Sequence, residues 1–243
     1  MTLQQIMSPM RRAIDDYNMI NSGDVIAVGL SGGKDSITLL SGLAGLKRFY
    51  PNSFDVIAVR IDTGLEFNKS EEQALKEYVE SLNVKYHVEK TEIAKVVFEE
   101  RKETNPCSLC ANMRRGALNG VAKSLGCNKV ALGHHADDLI ETFYLSMLYE
   151  GRLSTFHPVT TLSRMDLSVI RPMIYMKESE VSSFAKGKPI LHNPCPADKH
   201  TKREYVKELF KYIRKEIPFA SDNILNALIN PERNNLFTKP DKK

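Results

Sequence analysis

"AVGLSGGKDSITLL", residues 27 to 40, is the stretch whose reading decides the fold. Its start belongs to the apolar run "DVIAVGL" (24–30), which has the length and composition of a strand buried on both faces. Its end opens the helical "ITLLSGLAGLKRFY", closed by Pro51. Between the two, Gly32 and Gly33 let the backbone curl so that successive N–H groups face one point. The start of the following helix adds partial positive charge there. Lys34 and Ser36 supply further donors. A plain tight turn accounts for the glycines but not for Lys-Asp-Ser at the helix start, so the stretch reads as an anion cradle.

Two familiar phosphate loops do not fit. The pattern G-x-x-x-x-G-K-[ST] needs glycine at Val28 and Ser or Thr at Asp35. The pattern G-x-G-x-x-G fails because Ser31 stands at its second glycine. Working outward, "FDVIAVRID" (54–62), "VKYHVE" (84–89) and "KVALG" (129–133) read as further strands. Helices are expected at 9–20 (Ser8 as cap), 70–82, through the stretch ending at Gly126, and at 136–151. This alternation predicts an α/β fold: a parallel twisted sheet with helices on both faces and a helical C-terminal extension. In such sheets ligands bind at the carboxyl ends of the strands. "SGGKDS" (31–36), "DTG" (62–64) and "GHHADD" (133–138) each follow a strand, which brings Asp62 and Gly133 into the site. Three segments are expected: a helical 1–22, an α/β domain over 23–185, and a C-terminal 186–243.

At 243 residues, 42% hydrophobic and 26% charged, the composition is that of a folded globular protein. "MTLQQIMSPMRR" lacks the apolar core of a signal peptide, and no apolar run approaches the roughly 18–20 residues that span a bilayer. No membrane association is expected, and a cytoplasmic location with reduced thiols is. The net charge of +4 is uneven, with seven Lys or Arg and two Glu between Lys199 and Lys215. In the helix expected from about Thr201 to Ile217, Lys199, Arg203, Lys207, Lys211 and Lys215 form a basic ridge. Val206, Leu209, Phe210, Ile213 and Ile217 should pack inward. Such a ridge is a solvated face or a phosphate contact.

Three of the four cysteines sit in "NPCSLC" (105–110) and the later "NPCP" (193–196). Structural zinc, a redox CxxC and an iron–sulfur cluster all compete for Cys107, Cys110 and Cys195. A zinc ribbon lacks its second pair, because Val130 stands where a partner of Cys127 should be. A redox pair leaves "NPCP" unexplained. A cluster held by three thiolates leaves one iron open to an external sulfide. Cys127 reads as a small core filler.

"SGGKDS" resembles the PP-loop, SGGxDS, of the ATP pyrophosphatase-like superfamily, whose members cleave ATP between the α and β phosphates, adenylate a substrate oxygen and release pyrophosphate with Mg2+. "NPCSLCANMRRGAL", "ALGHHADDLIETFYLSMLYEG", "VIRPMIYMKESEV" and the late "NPC" resemble the TtcA family of tRNA 2-thiocytidine synthetases. The resemblance implies a [4Fe-4S] cluster, ATP and Mg2+, a tRNA substrate, a cysteine desulfurase or other sulfide source, and a homodimer. It implies that Ser31, Gly32, Gly33, Lys34, Asp35 and Ser36 bind ATP phosphates. It implies too that Cys107, Cys110 and Cys195 are cluster ligands and that Asp138 is an important acid, with Lys34 and Asp35 beside the reacting phosphates. The family's better-known branch has a second CxxC around the third cysteine, whereas here Asp198 takes the later position. Thiolation of another tRNA base, such as uridine to 4-thiouridine, and an amide-forming ligase with structural zinc are the alternative readings. Among the remaining polar residues, His135 is expected to hydrogen-bond locally, and Arg114 or Arg115 to face the pocket or solvent.

Overall fold

The computed structural model describes residues 1–101, 106–195 and 202–236. The helices are α1 (Leu3–Asp16), α2 (Lys34–Leu46), α3 (Lys69–Ser81), α4 (Ile93–Lys95), α5 (Pro106–Ser124), α6 (Ala136–Glu150), α7 (Glu178–Ala185), α8 (Lys202–Glu216) and α9 (Ala220–Ile229). The strands are β1 (Asp24–Gly29), β2 (Phe54–Asp62), β3 (Lys85–Lys90), β4 (Lys129–Ala131), β5 (Val159–Leu162) and β6 (Leu167–Ile170). Contacts divide the chain into two compact units, residues 1–135 with 157–199, and residues 136–156 with 200–243.

The first unit is built on one sheet of order β3-β2-β1-β4-β6-β5. Every neighbouring pair is parallel except β5 with β6. The chain steps outward from β1 to β3 and then crosses to β4, so the order reverses between β1 and β4. That reversal opens a crevice at the carboxyl ends, where a ligand fits between the diverging connections. The loop carrying Ser31 to Gly33 leaves β1 at this point.

One face of the sheet is covered by α5, whose Leu118, Val121 and Ala122 pack with Ala27, Val59, Val130 and Cys127. Ile26, Val28 and Ala58 point the other way and are equally buried, as the alternation of a strand covered on both faces requires. Every residue of α2 from Ser36 to Leu46 is buried, because α1 and α7 pack on α2 from outside while β1 and β2 lie beneath it.

Helix α1 begins earlier than the sequence suggested. Thr2, not Ser8, caps it: the Gln5 amide donates to Thr2 Oγ1 at 3.4 Å, and the Thr2 amide to Gln5 Oε1 at 2.8 Å. This reciprocal box outweighs Pro9, which lies inside the helix and removes one ladder donor.

In the second unit, Ile140 of α6 and Val206 and Phe210 of α8 form a small core. Tyr144 meets Phe210 edge-on at 4.8 Å. The expected basic ridge does not face solvent as a whole. Arg203 lies 3.0 Å from Asp138 and 3.1 Å from Glu141, Lys207 approaches Glu141 at 3.9 Å, and Lys211 pairs with Glu208. Lys199 lies outside the described residues. Ile217, expected inside, follows the end of α8 and is 45% exposed. Among the described residues, no helix is long and apolar enough to cross a membrane.

Candidate active site

The glycine loop is held open at its centre and stitched at its rim. Gly32 has φ +85°, a backbone that L side chains rarely adopt. The Gly33 amide donates to Ser31 Oγ at 3.3 Å, Ser31 Oγ meets Ser36 Oγ at 3.2 Å, and Ser36 Oγ donates to the Gly33 carbonyl at 2.9 Å. Gly33 is the N-cap of α2 and offers no side chain to its first turn, so those amides remain available to an anion. Lys34 reaches Asp35 at 2.7 Å and Glu178 at 3.2 Å. Partial burial works against its charge, yet the two carboxylates hold the ammonium above its ordinary pKa, so Lys34 stays cationic. His135 is buried and its Nε2 lies 3.7 Å from Asp35. A Cβ on Gly133 would stand 3.0 Å from the Asp35 backbone, which explains glycine after β4.

The cysteines come to this loop from two directions. Cys107 and Cys110 ride on the first turns of α5, and Cys195 arrives on a segment without regular secondary structure after α7. All three line one cavity of about 380 Å³ together with Ser31, Gly33 and Arg114. Burial pushes the Cys110 thiol above its ordinary pKa; Arg114 opposes this, while Cys195 and Cys107 add to it. Cys127 is 3% exposed in the core under α5 and away from this cavity. Among the described residues, no three or more His, Cys, Asp or Glu converge as a metal-ion site.

Asp62 serves the turn after β2. Its carboxylate accepts from the Gly64 amide at 3.0 Å, and its carbonyl accepts from the Thr91 amide and hydroxyl. Asp138 lies on α6 in the second unit, paired with Arg203. Asp137 likewise pairs with Arg214 at 3.0 Å. Arg115 is exposed on α5; after burial, its charge is the second cause that lowers Arg171 to about 10.

The structure adds residues that sequence patterns did not single out. The Leu191 amide donates to the Gly32 carbonyl at 2.9 Å. The His192 amide and Nδ1 meet the two carboxylate oxygens of Glu71 at 2.9 and 2.6 Å. Arg60 is buried on β2 and lines the cavity. Only Arg60 left a trace in the sequence, as a charge in the apolar stretch between Asp55 and Asp62.

The PP-loop domain profile matches residues 3–213. The tRNA-cytidine(32) 2-sulfurtransferase of Pelobacter propionicus is 42% identical over 224 residues, covering 90% of this chain and 82% of that one. The chain belongs to the TtcA family of PP-loop proteins. A second TtcA-family relative, the tRNA-cytidine(32) 2-sulfurtransferase of Geotalea uraniireducens, is 38% identical over 233 residues, 93% of this chain and 91% of that one. Among solved structures, the U34-tRNA thiolase NcsA of Methanococcus maripaludis with its [4Fe-4S] cluster superposes with a TM-score of 0.77 at 23% identity, covering 95% of this chain and 79% of that one. That likeness extends the TtcA-family fold, a mostly parallel PP-loop sheet, to a distant protein.

Proposed function

We propose that this protein is an ATP-dependent tRNA sulfurtransferase that converts cytidine to 2-thiocytidine. One observation carries the reading: Cys107, Cys110 and Cys195 share a cavity with Ser31 and Gly33 of the glycine loop. A nucleotide phosphate on that loop and a sulfur-handling group on those thiols would therefore act on one substrate atom. The names of the family relatives supply the substrate class.

The cysteines suit a polynuclear group better than a single ion. Thiolates on one zinc crowd to within roughly 3.8 Å of each other at ordinary Zn–S lengths. Here the three thiols line one cavity, and among the described residues no three of His, Cys, Asp or Glu converge as a single-ion site. Cys107, Cys110 and Cys195 would hold a [4Fe-4S] cluster, whose contribution when bound is a sulfur nucleophile.

The protein's own residues bind and orient. The amides at the start of α2 and the Lys34 ammonium hold the triphosphate and neutralise charge as pyrophosphate leaves. Asp35 is assigned to ATP and Mg2+ beside the glycine loop, and the "GHHADD" motif keeps Asp138 as the candidate acid of the second unit. The base oxygen attacks the α phosphorus, forming an adenylated base and releasing pyrophosphate. Sulfur then adds at the activated carbon, and AMP departs with the oxygen. The target base must leave its stack to reach such a pocket. A cysteine desulfurase or other sulfide source, a homodimer and a cytoplasmic location complete the proposal.

The test is mass spectrometry of tRNA nucleosides from cells lacking the protein, and from cells given back wild type or Cys195→Ala. Loss of 2-thiocytidine, restored by wild type alone, is the expected result. Loss of 4-thiouridine instead would redirect the substrate assignment, and no change in any thionucleoside would sink the thiolase reading.

A further inference from the structure

Arg60 has a side chain only 5% exposed, near the carboxyl end of β2. Its Nη1 donates to Glu72 Oε1 at 2.6 Å, and its guanidinium carbon lies 4.6 Å from the centre of the Phe67 ring. Its Nη2 is buried and has no hydrogen-bond partner among the described residues. Tyr86 on β3 stands close by: burial raises its pKa, and the charge of Arg60 together with a hydrogen-bonding interaction from its side chain works against that rise. A buried guanidinium nitrogen that makes no well-formed hydrogen bond is costly, and an acceptor arriving in the cavity would relieve that cost.

The surroundings state what kind of acceptor. Glu72 already balances the charge, so Nη2 is a directional donor more than an anion clamp. Around it the cavity wall is apolar, with Ile61, Leu65, Phe67 and Phe98. Ser31 and Gly33 of the phosphate loop line the same space. A flat heterocycle with a ring nitrogen or carbonyl at its edge satisfies all of this. A bare phosphate would leave the apolar wall unused.

We propose that Arg60 is a specificity-determining residue that donates from Nη2 to the acceptor edge of a nucleobase in this cavity. The proposal rests on the thiolase reading, which supplies two bases that could present that edge: the adenine of ATP and the target base of the RNA. Lysine in its place keeps a charge for Glu72 but loses the planar second donor.

The experiment uses full-length protein with Arg60→Lys. It measures dissociation constants for ATP, for inorganic tripolyphosphate, and for a tRNA anticodon stem-loop with unmodified cytidine. A base-bearing ligand is expected to weaken about tenfold while tripolyphosphate and the melting temperature hold. Loss on ATP assigns the edge to adenine; loss on the stem-loop with ATP unchanged assigns it to the target base. Unchanged binding of both, or equal weakening of tripolyphosphate, overturns the proposal. If Arg60→Lys does not fold, the double variant Arg60→Met, Glu72→Gln removes both charges together, and the same outcomes apply. These affinities are read without turnover, so failure of the thiolase reading shows separately in the nucleoside analysis.

Discussion

The Leu191 amide donates to the Gly32 carbonyl at 2.9 Å, and the Leu191 side chain fills the place where a Cβ on Gly32 would stand, 2.5 Å away. The segment that carries Cys195 is thus seated directly on the phosphate loop. Gly32→Ala meets two penalties: a left-handed backbone that costs a non-glycine residue about 1–2 kcal/mol, and a collision that shifts Leu191. Iron bound after reconstitution should fall along with ATP affinity. Adding Leu191→Ala should recover part of the iron but not the full ATP affinity, because only the collision is relieved. A Gly32→Ala protein with wild-type iron and ATP binding would refute this joint.

Glu71 ties down the same segment from α3. The bond from the His192 amide, and then that from the His192 ring, hold its carboxyl below the ordinary value of 4.5. A depressed carboxyl contributes above its unfolded pKa and loses that contribution as pH falls through the folded one. The carboxylate's share of the tether should therefore hold down to about pH 4.5 and weaken only in stronger acid. Hydrogen-exchange protection of the Leu191 and Cys195 amides reads this out. Glu71→Gln should lower that protection already at neutral pH, while wild type keeps it. Equal protection in both proteins would show that the tether does not position the segment.

The cysteines divide by surroundings. Cys107→Ser, Cys110→Ser or Cys195→Ser should each abolish thiolation and reduce reconstituted iron with little change in melting temperature, since these side chains face the cavity. Cys127→Ser places a hydroxyl in an apolar core and should cost about 1–3 kcal/mol by denaturant unfolding, with thiolation retained. Thiolation lost in the Cys127 variant, at a temperature where it remains folded, would contradict the division.

Much of this was written in local patterns. β1, β2 and β3 are continuous or alternating runs ended by turn residues, and α2 follows its glycines, so sheet and loop could be read directly. β5 and β6 could not: four residues each in a Ser- and Thr-rich stretch, they are strands because β6 finds the free edge of β4. The three site cysteines were visible as a set by their rarity and spacing. The contacts that position them were not, because Leu191 to Gly32 and His192 to Glu71 join residues more than a hundred positions apart. The basic ridge misled for the same reason. Helical spacing places Arg203 and Lys207 on one stripe, but only the packed structure brings acids of α6 against them.

That packing changes which cations are expected to meet RNA. Arg203 bridges Asp138, Glu141 and the Thr142 hydroxyl, and Glu141 is 4% exposed, so removing Arg203 takes a cation at 3.1 Å from a buried carboxylate. Arg203→Ala should cost about 1–3 kcal/mol in unfolding free energy. It should leave the salt dependence of tRNA binding unchanged, because an arginine engaged on acids releases no counterion from the RNA. Lys211 and Lys215 lie exposed on the same helix, and Lys211 is held only by its own-helix neighbour Glu208 among the pairs seen. If this face meets phosphates, Lys211→Ala and Lys215→Ala should each lower the slope of log affinity against log salt by about 0.9 while leaving stability within about 0.5 kcal/mol. Filter binding across a salt series, paired with urea unfolding of the same variants, separates the two classes. A slope that falls for Arg203→Ala but not for the two lysines would mean that the α6 acids give up their arginine when RNA arrives.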